Sequence, residues 1–119
     1  MITNYRFTVF ASELQRSRLF YENRMGCLLS EITDVGFTAT RDDLVIIVEG
    51  GAKPRKLGKR WLGEAGLYIT LKVDDFDAMF ADLTKRGVPF LDDVALSAEG
   101  KRVTGFADPD GVLYELREA

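Results

Sequence analysis

Tyr5, Phe7, Val9 and Ala11 alternate with Arg6, Thr8 and Phe10, so residues 5–11 carry a period of two. That period predicts a strand whose first set faces a core. Ser12 with Gln15 three residues on forms a capping box, and a helix is expected from there to about Met25. Leu14, Ser17, Tyr21 and Met25, with Phe20 beside them, recur at helical spacing on its inner face. Gly26 suits the left-handed residue that closes a helix. Residues 27–33, 37–40 and 44–49 read as three strands, with turns at 34–36 and 41–43. The first half therefore reads β-α-β-β-β.

Residues 50–64 break this pattern with four glycines, one proline and five basic residues. They predict a long basic loop with a helical turn near Trp61. After it the pattern returns. Residues 67–73 alternate as a strand, and Asp74 is the expected N-cap. Phe76, Met79, Phe80 and Leu83 form the apolar stripe of a surface helix. Gly87 closes that helix and Pro89 prevents its continuation. Strands are expected near 90–96, 101–107 and 112–117, with a proline-led tight turn at Asp108-Pro109-Asp110-Gly111.

The halves also align residue by residue. A shift of 62 lays Arg6 on Tyr68, Thr8 on Thr70, Phe10 on Lys72 and Glu13 on Asp75. A shift of 66 lays Glu49 on Glu115. This is an internal duplication. The expected fold class is α+β: two βαβββ modules in one domain, at 4–49 and 65–118, with the basic loop 50–64 between them.

Composition mainly excludes. There is no histidine, which removes His-based triads, proton shuttles and metal ligands. The one cysteine, Cys27, cannot form an internal disulfide and is expected to be a buried, inert thiol. Sixteen Lys+Arg against nineteen Asp+Glu leave a net charge of -3, which argues against nucleic acid as a partner. No apolar run approaches the roughly 20 residues of a membrane span, and residues 1–7 lack a secretory pattern. A reduced, cytoplasmic protein without a membrane partner is the expectation.

One helix per module covers one side of each sheet. The other side carries Arg6, Thr8, Tyr68, Thr70 and Lys72, too polar for a second core. Glu49 and Glu115 end apolar strands, where a carboxylate is costly to bury without a partner. If the sheets curl, this side lines a trough, the default place for a ligand. Lys53, Arg55, Lys56, Lys59 and Arg60 are either a solvated charge run or anion contacts, and Trp61 packs on the body, on a second subunit or over a ligand.

The paired modules resemble the vicinal oxygen chelate superfamily, which includes glyoxalase I, extradiol dioxygenases and bleomycin-resistance proteins. The segments that carry the resemblance are FTVFASELQRSRLFYENRMG, LYITLKVDDFDAMFADLTKRGV and GFADPDGVLYEL. It implies mixed sheets curled around a cleft, commonly completed by a second subunit, hence a homodimer. In metal-using relatives the ligands lie on the first and last strand of each module. Those places are Arg6, Glu49, Tyr68 and Glu115 here.

Histidine or glutamine often stands at the two first-strand places, where this chain has arginine and tyrosine. An arginine offers no lone pair. A unit charge about 4 Å from a divalent ion repels it by roughly 8 kcal/mol at an effective dielectric of about 20. Tyr68 would ligate only as a phenolate. No metal and no cofactor are therefore expected, with Arg6 in the electrostatic place of the ion.

The expected function is metal-independent binding of a small organic ligand by Arg6, Glu49, Trp61, Tyr68 and Glu115. An enzyme of lyase, isomerase or dioxygenase type, with Glu115 as general base and Arg6 as oxyanion stabiliser, is the alternative. A protein-interaction module is the third reading.

Overall fold

The structure, a computed structural model, describes residues 1–3, 6–50 and 67–119. The chain forms two compact units, Met1–Lys56 and Leu57–Ala119. In the first, β1 (Phe7–Phe10) leads into α1 (Leu14–Leu19) and a π-helical turn (Phe20–Arg24), followed by β2 (Leu28–Thr33), β3 (Gly36–Arg41) and β4 (Leu44–Glu49). In the second, β5 (Ile69–Val73) and α2 (Phe76–Lys85) precede β6 (Ala95–Leu96), β7 (Arg102–Ala107) and β8 (Leu113–Glu118).

Sheet A runs β1-β4-β3-β2 and sheet B runs β5-β8-β7-β6. In each, the first and last strands pair in parallel and the remaining pairs are antiparallel. The fold is therefore α+β with two four-stranded mixed sheets.

Alternation decides which side of each sheet is buried. In the first unit Val9, Ala11, Ile46 and Val48 are buried with Phe20, Tyr21 and Met25 of the helical segment. Tyr21 meets Phe20 and Phe37 edge to face, with ring centroids 5.3 and 6.1 Å apart. In the second unit Ile69, Phe106, Tyr114 and Leu116 are buried with Phe76 and Leu83 of α2. There Phe106 stacks on Tyr114 at 5.2 Å, and Phe90 and Phe80 continue the aromatic row. Such ring pairs add about 1 kcal/mol each beyond area burial.

The helix starts differ by one residue from those expected. Glu13, not Ser12, caps α1 by accepting from the Arg16 amide at 3.3 Å, while the Ser12 hydroxyl accepts from the Arg16 guanidinium. Asp75, not Asp74, caps α2 by accepting from the Ala78 amide at 3.0 Å. Both corrections fall on the residues that the shift of 62 superposes. The ends are left-handed glycines as expected, Gly26 at φ 70 and Gly87 at φ 86.

From cap to glycine the first helix is one residue longer than the second. The π-helical turn accommodates that residue, widening one turn of helix instead of displacing the strand that follows.

Two strand expectations change as well. Phe7, expected in the core, is 48% exposed at the outset of β1. The strand expected over 90–96 shrinks to Ala95–Leu96. Asp92 takes the Gly105 amide and the Thr104 hydroxyl with its carboxylate, and the Leu91 amide donates to the Gly105 carbonyl. That segment thus closes β7 with a side chain before its own ladder begins. Cys27 is buried and forms no disulfide. Tyr5, Trp61 and the basic residues Lys53, Arg55, Lys56, Lys59 and Arg60 lie outside the described residues.

Candidate functional site

The side of sheet B opposite α2 is built by parity. On β5 and just before it, Ile69 and Leu71 point to the core, so Tyr68, Thr70 and Lys72 point away and are exposed. On β8, Tyr114 and Leu116 are buried, so Leu113, Glu115 and Arg117 share the open face. The parallel register sets Thr70 opposite Glu115 and Lys72 opposite Arg117. Across the antiparallel pair, Gly105 stands opposite Glu115, Val103 opposite Arg117 and Ala107 opposite Leu113. Gly105 puts no Cβ opposite Glu115, and the nearest side-chain atom to that place is Asp92 Oδ1, at 3.7 Å.

Two residues apart on one strand face, Glu115 and Arg117 are near enough for the longer side chain to fold back. The Arg117 Nε donates to Glu115 Oε1 at 2.9 Å, with side chains only 22% and 18% exposed. The Thr70 hydroxyl approaches the same oxygen at 3.5 Å. Glu99, on the β6–β7 turn, lies 3.6 Å from the far edge of the guanidinium with its own side chain 75% exposed. The hydrogen bond that Arg117 donates to Glu115, more than any other cause, raises Arg117 above the usual arginine value. Tyr68 lies within electrostatic range of that guanidinium. No described residue occupies Glu115 Oε2.

Sheet A, folded the same way, presents a different open face. Thr8 stands opposite Ile47 and Phe10 opposite Glu49. Arg6 precedes Phe10 by four residues, so the strand carries it about 13 Å from the level of Glu49. Both side chains are exposed, and neither makes a hydrogen bond or ion pair with a described residue. The sequence reading did not count Arg117 among the site residues, although parity puts it on the same strand face as Glu115.

The donor set does not fit a divalent ion. Arg6 has no lone pair, and one Glu115 oxygen already accepts a charge-assisted hydrogen bond. Among the described residues no group of three His, Cys, Asp or Glu is placed to hold a metal.

The sequence profile of the Glyoxalase/Bleomycin resistance protein/Dioxygenase superfamily matches residues 5–116. The chain belongs to that superfamily. Solved superfamily members share the fold. One from Sphaerobacter thermophilus superposes with a TM-score of 0.74 at 22% identity, over 100% of both chains. One from Alicyclobacillus acidocaldarius gives 0.76 at 19% identity, over 98% of this chain and 94% of that one. A protein of unknown function from Agrobacterium tumefaciens gives 0.72 at 24% identity, over 99% and 97%. Curated protein sequences yield no significant match. Among the described residues of this superfamily member, no helix is long and apolar enough to cross a membrane.

Proposed function

We propose that this superfamily member binds a small organic molecule on the open face of sheet B without a metal ion. The observation that carries the reading is the 2.9 Å bond from Arg117 Nε to Glu115 Oε1, at the strand where metal-using relatives place a ligand. An internal guanidinium already supplies the positive charge that a cation would bring, and it keeps that charge at every working pH. Tyr68 and Glu115 belong to this face, joined by Thr70 and Arg117. Arg6 and Glu49 belong to the open face of sheet A, in the other unit, and the proposal does not rest on them. Trp61 enters as the reporter.

The enzyme reading keeps one observation in its favour: no described residue occupies Glu115 Oε2, which lies beside a fixed cation, the arrangement a general base needs.

A single tryptophan makes the test simple. Trp61 emission is followed across a small-molecule library and, separately, across Mn, Ni, Zn and Fe titrations with calorimetry. Saturable quenching by organic compounds in chelator, lost in Arg117→Ala, is the expected result. Tight stoichiometric uptake of any of these metals by the unmodified protein overturns the proposal.

A further inference from the structure

Lys72 and Arg117 stand directly opposite each other on neighbouring strands, both on the open face. Like charges in that position repel and destabilise a strand pair. Glu115 answers only one of them, through Arg117 Nε. Lys72 has no ion pair or hydrogen bond among the described residues. Glu99 reaches Arg117 from the rim at 3.6 Å, longer than a hydrogen bond, on a side chain that is mostly in solvent. Among the described residues the two cations therefore share an unfilled demand for one more anionic oxygen pair.

The surroundings limit what can bring it. Leu113, Val103 and Ala107 floor the neighbouring stretch of the face, and the Tyr68 ring, 55% exposed, stands at its edge. Apolar floor, exposed ring and paired cations together match a flat apolar body ending in a planar oxyanion.

We infer that the ligand class of this face is a small aromatic or apolar carboxylate, held between the Lys72 ammonium and the far edge of the Arg117 guanidinium. The inference rests on the small-molecule reading above and narrows it. Glu99 is then the resident competitor: its carboxylate occupies the outer edge of Arg117 loosely and yields to that of the ligand. Glu115 does not yield, because its 2.9 Å bond to Nε joins side chains only 18% and 22% exposed and fixes the orientation of the guanidinium.

Benzoate and its neutral isostere benzamide separate the possibilities. Each is titrated into ¹⁵N-labelled protein while the amides of Thr70, Lys72, Gly105 and Arg117 and the Arg117 Nε–H resonance are followed. Benzoate is expected to shift these resonances about tenfold more tightly than benzamide. Lys72→Met loses about tenfold in benzoate affinity with an otherwise unchanged spectrum, and Glu99→Gln gains about threefold. Equal affinities for the two probes at these residues overturn the inference while leaving the small-molecule reading intact. No benzoate shift on this face up to about 10 mM also overturns it, and the library screen then decides the broader reading alone.

Discussion

Sheets A and B have the same strand order, the same buried parity and helix caps at equivalent positions, yet their open faces carry opposite chemistry. With the first strands related by 62, the observed registers relate the last strands by 68. Thr8 opposite Ile47 then corresponds to Thr70 opposite Glu115, and Phe10 opposite Glu49 corresponds to Lys72 opposite Arg117. The counterpart of Glu115 is thus an isoleucine, and the counterpart of Glu49 is the arginine that neutralises Glu115. The duplicated backbone supplies equivalent places. Only one copy has placed a charged pair in them.

The comparison is broken most severely in the core, where the two copies agree. Leu116 corresponds to Val48, and both are fully buried. Leu116→Ala is expected to cost about 3 kcal/mol in urea unfolding, and Leu116→Val, which imitates sheet A, about 1 kcal/mol. Costs below about 0.5 kcal/mol for both would mean that the buried parity of β8 is misassigned.

The next largest effect separates two glycines. A Cβ on Gly36 would lie 2.4 Å from the Val48 carbonyl oxygen, a backbone atom that cannot move aside alone. Its counterpart in sheet B is Val103, so the two copies differ in how closely their strands approach. Gly36→Ala is expected to cost about 2 kcal/mol. A Cβ on Gly105 meets nothing nearer than 3.5 Å, and Gly105→Ala is expected to stay within about 0.5 kcal/mol. Equal thermal shifts for the two variants would refute the contrast.

These registers mark where sequence reasoning stopped. The repeat, the buried parity of Val9 and Ile69, and the closing glycines Gly26 and Gly87 were all legible, because period and left-handed backbone leave direct traces in residue type. The pairing of Glu49 with Glu115 was not reliable. Shifts of 66 and 68 are both even, so they keep every side chain on its face and cannot be told apart by alternation. The observed pairing separates them: Thr40 pairs with Val45 across four residues and its counterpart Ala107 with Leu113 across five, so this turn adds one residue and the rest of the offset enters between the helix and the third strand of each unit.

The caps failed for a related reason. Ser12 and Glu13, like Asp74 and Asp75, are consecutive acceptors, and the angle at which the chain enters the helix chooses between them. At the site, parity alone already put Glu115 and Arg117 on one face. That Arg6 sits far along the strand from Glu49 needed the register.

The smallest expected effect tests a device that only the second unit has. Arg102 bridges Asp77 of α2 at 2.7 Å and Glu118 of β8 at 2.8 Å, with its guanidinium 4.8 Å from the Phe76 ring centroid. The counterpart of Glu118 in sheet A is Gly50, which has no carboxylate to offer. The Arg102 hydrogen bonds hold Glu118 below the ordinary glutamate value of 4.5. A carboxyl depressed in the folded state stabilises fully above its unfolded value, and that contribution is lost as the pH falls through the lower folded one. Stability measured by urea unfolding should therefore fall more steeply between pH 5 and the acid limit in the unmodified protein than in Arg102→Met. The difference in slope should be less than about one proton, because one group titrates and its side chain is part-exposed and screened. Parallel slopes would assign the acid sensitivity to carboxylates that both units share, and the two sheets would then differ in their open faces but not in how their helices are clamped.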